Sequence, residues 1–278
     1  MSSRADLLGQ QRSWAASVGL QADSRGYLPS VDENLVRPLN TSSRLAFENG
    51  SGSELLDIGS RPAKMRALHS SSALAVNVFD SWVNQDCSQL QAALGIGDGI
   101  VSISFEKQYP TGLPGNPPNL DLALELATDH VIGIESKYSE WLTPKPASKT
   151  PFKPKYFPDG VGVWTARGLP RCQELAVAIA EGSIAFRYLD APQLLKHALG
   201  MATKLNKRFS LYYLYYDWPG AESDTHECEL NQFSESVGSE LRFKAISYQE
   251  LFEAFKAGGG VDSDYLEYLG TRYFFDSV

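Results

Sequence analysis

Residues 118–137, PNLDLALELATDHVIGIESK, decide how the rest of the chain is read. From 120 to 127 the residues alternate without a break. Leu120, Leu122, Leu124 and Leu126 fall on one face, and Asp121, Ala123, Glu125 and Ala127 on the other, which is the period of a half-buried strand. Thr128-Asp129-His130 has turn chemistry, and Val131-Ile132-Gly133-Ile134 returns as a second apolar strand. With Ala127 facing Val131 across a three-residue loop, Asp121 comes opposite Lys137 and Glu135 opposite Ala123. Asp121, Glu135 and Lys137 then share the polar face, and small Ala123 leaves room between the carboxylates.

Two carboxylates about 5 Å apart repel by roughly 3 kcal/mol at an effective dielectric near 20, and one lysine offsets only part of that. A divalent cation would discharge the rest, so the trio can hold a metal ion against a phosphate. The plainer account is an exposed ion pair between Asp121 and Lys137 with Glu135 solvated, since so short a pattern also arises by chance. The surroundings favour the functional account. Residues 112–119, GLPGNPPN, form a rigid, turn-rich approach that delivers Asp121 at the start of its strand, and an apolar run leads into Glu135. On an exposed face, truncating Lys137 is expected to cost little stability.

Pro118 and Asp121 in PPNLD, followed by Glu135 and Lys137 in IESK, make the chain resemble the PD-(D/E)XK nuclease superfamily, with its restriction-endonuclease-like fold. It departs from the nominal motif in that Pro118 lies three residues before Asp121 rather than beside it. The resemblance implies an α/β (α+β sandwich) fold, a central mixed sheet containing a β-meander flanked by helices, with a candidate for each core piece between about 50 and 218. It also implies Mg²⁺-dependent hydrolysis of DNA phosphodiester bonds, Mn²⁺ being an alternative ion. Asp121, Glu135 and the backbone carbonyl of Ser136 would hold the metal, while Lys137 orients or activates water and stabilises phosphate charge. Oxygen-only ligands suit such a hard cation. A further acid is expected from the first helix region: Glu54 first, then Glu48, with Glu106 offered by the neighbouring strand. Some exonuclease-like branches carry Gln, then Tyr four residues later, on the helix after the Glu-x-Lys strand; Gln193 and His197 stand at those positions here. The competing function is a DNA-binding or assembly module on the same fold that does not cut.

The rest of the chain supplies the other pieces. Residues 70–85, SSSALAVNVFDSWVNQ, read as a serine-capped helix with Leu74, Val78, Phe79 and Trp82 on one stripe. Residues 100–109 alternate as a first strand, and 48–54, ENGSGSE, read as a turn leading into helix. Residues 142–158 hold Lys145, Lys149, Lys153 and Lys155, five prolines and no acid. That stretch reads as a basic, substrate-facing loop for phosphate contact. Helices are expected over 169–181 and 190–205, the second opening on an Asp190 cap with Pro192 and Gln193, which by itself accounts for Gln193. Residues 209–216, FSLYYLYY, read as a buried strand. Helix, strand, helix and a last helix follow.

At 278 residues the chain is read as one domain: 1–50 an N-terminal extension, about 50–218 the core, 219–278 a C-terminal αβα elaboration. A net charge of −8 argues against a general nucleic-acid coat protein. It leaves room for a nuclease whose contact face is basic. Cys87, Cys172 and Cys228 lack metal or disulfide spacing, and MSSRADLLGQQ has no apolar signal core. A cytoplasmic protein is expected, with DNA as partner, no membrane contact and scope for a homo-oligomer.

Overall fold

The computed structural model describes residues 3–50, 53–145, 151–158, 160 and 162–275. Its centre is a five-stranded sheet of β1 (Ile100–Gln108), β2 (Asn119–Leu126), β3 (Val131–Lys137), β4 (Phe209–Tyr215) and β5 (Lys244–Ser247), in that spatial order. The first three run antiparallel as a meander, and β4 and β5 add parallel to β3. A parallel neighbour needs a long crossover, and the helices between these strands provide it. The nine α-helices of the described residues are α1 (Ser3–Ser17), α2 (Thr41–Asn49), α3 (Ser71–Phe79), α4 (Ser88–Leu94), α5 (Pro170–Glu181), α6 (Ala191–Leu205), α7 (Ala221–Val237), α8 (Tyr248–Gly258) and α9 (Ser263–Leu269). The α/β fold with flanking helices matches the sequence reading.

Each face of the sheet buries its own apolar layer. Leu122, Leu124, Ile132, Ile134 and Leu214 meet α3, α4 and α8 through residues such as Val76, Leu90 and Phe252. Ala123, Leu211 and Tyr213 meet α5, α6 and α7 through Leu175, Ala198 and Phe233. The second layer is tight. A Cβ on Gly133 would come within 2.7 Å of Leu120 and Met201, and one on Gly200 within 2.4 Å of the Tyr109 carbonyl oxygen. Both glycines let α6 lie directly on the sheet.

The hairpin register differs from the sequence reading by two residues. Leu122 pairs with Ile134 and Ala123 with Gly133, so Asp121 is level with Glu135 rather than with Lys137. Asp129 adopts a left-handed backbone (φ 60°), the Leu126 N–H donates to the His130 carbonyl at 2.8 Å, and the Ala127 N–H donates to the carbonyl of Gly99, just before β1, at 2.8 Å. The turn therefore closes over 127–129. A two-residue shift by itself leaves side chains on their faces, but the alternation read from Leu120 onward breaks at Asp121: Leu120 packs with Ala123 and Met201 in the layer of α6, while Leu122, Leu124 and Leu126 pack in the other.

The helix read over 70–85 ends earlier. Ser70 caps it, accepting from the Ala73 N–H at 3.2 Å, but α3 stops at Phe79 and a single 3₁₀ turn, Asp80–Trp82, follows. Around 48–54 helix α2 precedes the glycines instead of following them, because the chain after them runs through irregular loop to a 3₁₀ turn, Lys64–Arg66. Residues 219–278 contribute β5 to the central sheet. The two ends of the chain are joined by Arg272, which is fully buried, donates to the Asn34 carbonyl at 2.7 Å and lies 4.3 Å over the Trp14 ring. In the basic loop Phe152 and Tyr156 are buried against Trp164, so its aromatic residues are anchors. All three cysteines are free, and no described helix is long and apolar enough to cross a membrane.

Gly200→Ala should therefore destabilise, although alanine is the better helix former by about 1 kcal/mol. Backbone in front of the new methyl cannot step aside, and overpacking of this kind costs about 1–3 kcal/mol. A thermal melt should show Tm lower by about 2–4 °C per kcal/mol; an unchanged or raised Tm would mean that α6 does not lie this close.

Candidate active site

Three adjacent strands each place a carboxylate at one level of the sheet. Phe105 pairs with Leu122 and Lys107 with Leu120, which sets Glu106 beside Asp121; on the other side the β2–β3 register sets Glu135 beside Asp121. Glu106 interrupts the ladder with a left-handed backbone, φ 51°, a strained state for a residue other than glycine. Glu54, from the segment after α2, is 7% exposed and lines the same cavity as Glu106 and Asp121. Glu48 is exposed and does not line it.

Glu135 is 1% exposed, and its charge is met from two directions. Lys137 Nζ donates to its Oε1, and His197 Nε2, carried in by α6, lies 3.0 Å from its Oε2 without the alignment of a hydrogen bond. Burial pushes the Glu135 carboxyl up, but Lys137 and His197 outweigh it and hold the group at about 2. Burial alone would also lower Lys137, yet Glu135, Asp121 and Glu140 raise it well above the usual lysine range. Asp121 goes the other way: burial and the Glu135 charge raise it well above the ordinary carboxylate value, against the pull of Lys137 and the Ser136 N–H, which donates to Asp121 Oδ2 at 2.8 Å. Burial and Glu54 raise Glu106.

Lys137 is thus not on an exposed face. Its side chain is 16% exposed and committed to Glu135, so the expectation that truncating it costs little is overturned. Breaking a buried pair by removing one partner costs about 3–5 kcal/mol.

The cavity, about 330 Å³, carries an acid wall of Glu54, Glu106 and Asp121. Ser70, Ser71 and Ser72 at the N-terminus of α3, Arg4, His69 and Glu140 also line it, and Lys64 Nζ lies 3.1 Å from Glu54 Oε1. A helix N-terminus presents free N–H groups and partial positive charge. The oxygen donors of the acid wall fit a hard cation, and Glu54 Oε2 is buried without a hydrogen-bond partner. Among the described residues no three His, Cys, Asp or Glu side chains are gathered closely enough to hold a metal ion as they stand, because Glu135 is turned to Lys137 and His197.

The remaining candidates spread out. Gln193 gives its N–H to the Asp190 cap at 3.0 Å, and no side-chain hydrogen bond ties it to the carboxylates; the residue of α6 that reaches Glu135 is His197, one turn further on. The Ser136 and Tyr248 hydroxyls share a hydrogen bond of 2.6 Å. Lys145 pairs with Asp190, and Lys155 donates to the Pro114 carbonyl. The Lys153 amine has no hydrogen-bond or ion-pair partner among the described residues, and Lys149 lies outside them. Sequence reading passed over Lys196. Its amine lies 5.3 Å over Phe152 and 5.8 Å over Tyr156, lowered by burial and by Lys153, Lys155 and Lys145 around it. Arg4 and His69 carry no local signal, because the chain between them and the hairpin has no fixed spacing.

Against models of known protein families, residues 12–274 match the one described as Restriction Endonuclease associating with ARP. No curated protein and no solved structure matches the chain.

The buried triad makes a prediction about acid. Glu135 is held below its ordinary value of 4.5, so the stability it contributes is complete above that pH and is lost as pH falls towards about 2. Glu135→Gln leaves Lys137 buried and unpaired, and should cost about 3–5 kcal/mol at neutral pH. Urea unfolding of wild type and variant should show this gap closing across that acid window. A gap that stays constant there would show that Glu135 is not held as a paired carboxylate.

Proposed function

Because the chain belongs to the family described as Restriction Endonuclease associating with ARP, we propose that it is a metal-dependent nuclease of the PD-(D/E)XK kind that hydrolyses phosphodiester bonds of DNA. The observation that carries this reading is the placing of Glu106, Asp121 and Glu135 level on three adjacent strands, with Lys137 paired to Glu135, beside a cavity that Glu54, Glu106 and Asp121 line together with the N-terminus of α3. Carboxylates and helix N–H groups lining one cavity are complementary to a cation bound to a phosphate.

Asp121, Glu135 and the Ser136 carbonyl would hold Mg²⁺, or Mn²⁺ in its place, with Glu54 and Glu106 as further acids on the same wall. When bound, the ion supplies Lewis-acid polarisation of the phosphate and a more acidic water. Lys137 is raised well above the usual lysine range and stays an ammonium at neutral pH. It therefore acts through charge, by stabilising the developing phosphate oxyanion, and not as a base. Ser71, Ser72 and Arg4 line the same cavity as the acids and would orient the phosphate. Lys153 and Lys155, with Lys196 behind them, offer backbone contacts beside α6. Three free thiols accord with a reducing cytoplasm.

A second reading, a DNA-binding or assembly module that does not cut, draws on one observation: Glu135 is already ion-paired with Lys137 and has His197 Nε2 3.0 Å from its other oxygen.

Cleavage separates the two. Purified protein should cut DNA only with Mg²⁺ or Mn²⁺, and Asp121→Asn should lower the rate by about a hundredfold or more. The same change replaces a carboxylate repelled by Glu135 with a neutral isostere, so its Tm should match or exceed that of wild type, as removing active-site strain commonly adds about 0.5–2 kcal/mol. No cleavage of single-stranded, double-stranded or branched DNA, with DNA still bound, would favour the silent module.

Lysine substitutions in the basic segment should divide as their partners do. Lys153→Gln and Lys155→Gln should each reduce the salt slope of DNA binding by about one unit, on unrelated sequences alike. Lys145→Gln should leave the slope unchanged, since Asp190 already holds that amine. Unaltered slopes in all three would move the contact surface elsewhere.

A further inference from the structure

At the other end of the sheet the parallel strands gather a second set of charges, unconnected with the carboxylate row. His130 immediately precedes β3, Arg208 immediately precedes β4, and Arg242 stands two residues before β5. The pairing of Val131 with Phe209 sets His130 level with Arg208, and that of Tyr212 with Lys244 sets Arg242 level with Ser210. Three neighbouring strands thus deliver one imidazole and two guanidiniums to the wall of a single cavity of about 370 Å³. Thr128, Ser210 and the 95–97 loop complete that wall.

The side chains here are held but not used up. Ser210 Oγ is 2.9 Å from His130 Nε2 and fixes the ring. Arg242 has a left-handed backbone, φ 44°, and its guanidinium has no hydrogen-bond or ion-pair partner among the described residues. Arg208 reaches Asp129 only at 3.5 Å, with the two side chains 58% and 85% exposed, a contact of little worth that a better anion would displace. Asp98 also lines the cavity and accepts from the Thr128 hydroxyl at 3.3 Å, which leaves the two arginines in excess.

We propose that this cavity binds a small molecule through a phosphoryl group, taken by Arg208 and Arg242 with His130, Ser210 and Thr128 as further hydrogen-bonding partners. A planar guanidinium fork matches phosphate oxygens in pairs, and hydroxyls and an imidazole satisfy the rest. The volume suits a small ligand. Because the site lies at the ends of the strands away from Lys137, it needs neither the metal nor the nuclease reading.

Binding is tested by titrating metal-free protein with inorganic phosphate and with AMP at constant ionic strength, following the His130 imidazole by NMR and assigning it with His130→Gln. Saturable binding that moves the His130 signal and raises its pKa is expected, since a bound phosphoryl dianion favours the imidazolium. Arg208→Gln with Arg242→Gln should weaken it by about tenfold or more, while Asp121→Asn binds as wild type does. Tighter binding of AMP than of phosphate would identify a phosphorylated small molecule as the occupant, and equal affinity free phosphate. Absence of saturation, or binding lost in Asp121→Asn and kept in the double arginine variant, would overturn the proposal and place any phosphate in the acid cavity.

Discussion

A carboxylate that is 1% exposed in the middle of a sheet must be compensated, and the architecture around Glu135 follows from that requirement. Lys137 compensates it along the strand and His197 across the sheet–helix interface. His197 reaches it only because α6 lies directly on the strands, which in turn depends on Gly133 and Gly200 having no side chain. Packing and electrostatics are therefore one problem here: a methyl group at Gly200 would move the helix that carries one of the two partners.

The same compensation sorts the neighbouring acids into different states. Glu135 takes Lys137 and His197 for itself and falls to about 2. Asp121, beside it, is left with one backbone N–H and the repulsion of its neighbour, and rises. Paired groups whose surroundings push them apart are a mark of functional sites. A cation entering the acid wall would relieve Asp121, Glu106 and Glu54 together, a different relief from the one Lys137 already gives Glu135.

The sheet also separates its charges by strand end. Its meander end brings acids into a row, while the starting ends of the parallel strands bring His130, Arg208 and Arg242 into another. The acidic net charge of the chain conceals this division, because charge summed over a sequence carries no information about which end of a strand a residue occupies.

Strand faces were legible in the sequence from Leu122 onward, because side chains alternate with a period of two, but not at the start of β2, where Leu120 packs in the layer of Ala123 and α6 instead of with Leu122 and Leu124. The serine cap of α3, the Asp190 cap of α6 and the buried aromatic strand were likewise local chemistry, readable where they stand. Register itself was not local. It goes with a contact from another segment, the Ala127 N–H donating to the carbonyl of Gly99 just before β1. Nor was the depth of Lys137, the arrival of His197 rather than Gln193, or the meeting of Arg4, Glu54 and Glu106 in one cavity. Sequence determined which side chains face the same way along an uninterrupted strand, because alternation and capping act within a few residues. Tertiary structure alone decided which of them are buried and who neutralises whom, because those depend on contacts between segments with no fixed spacing along the chain.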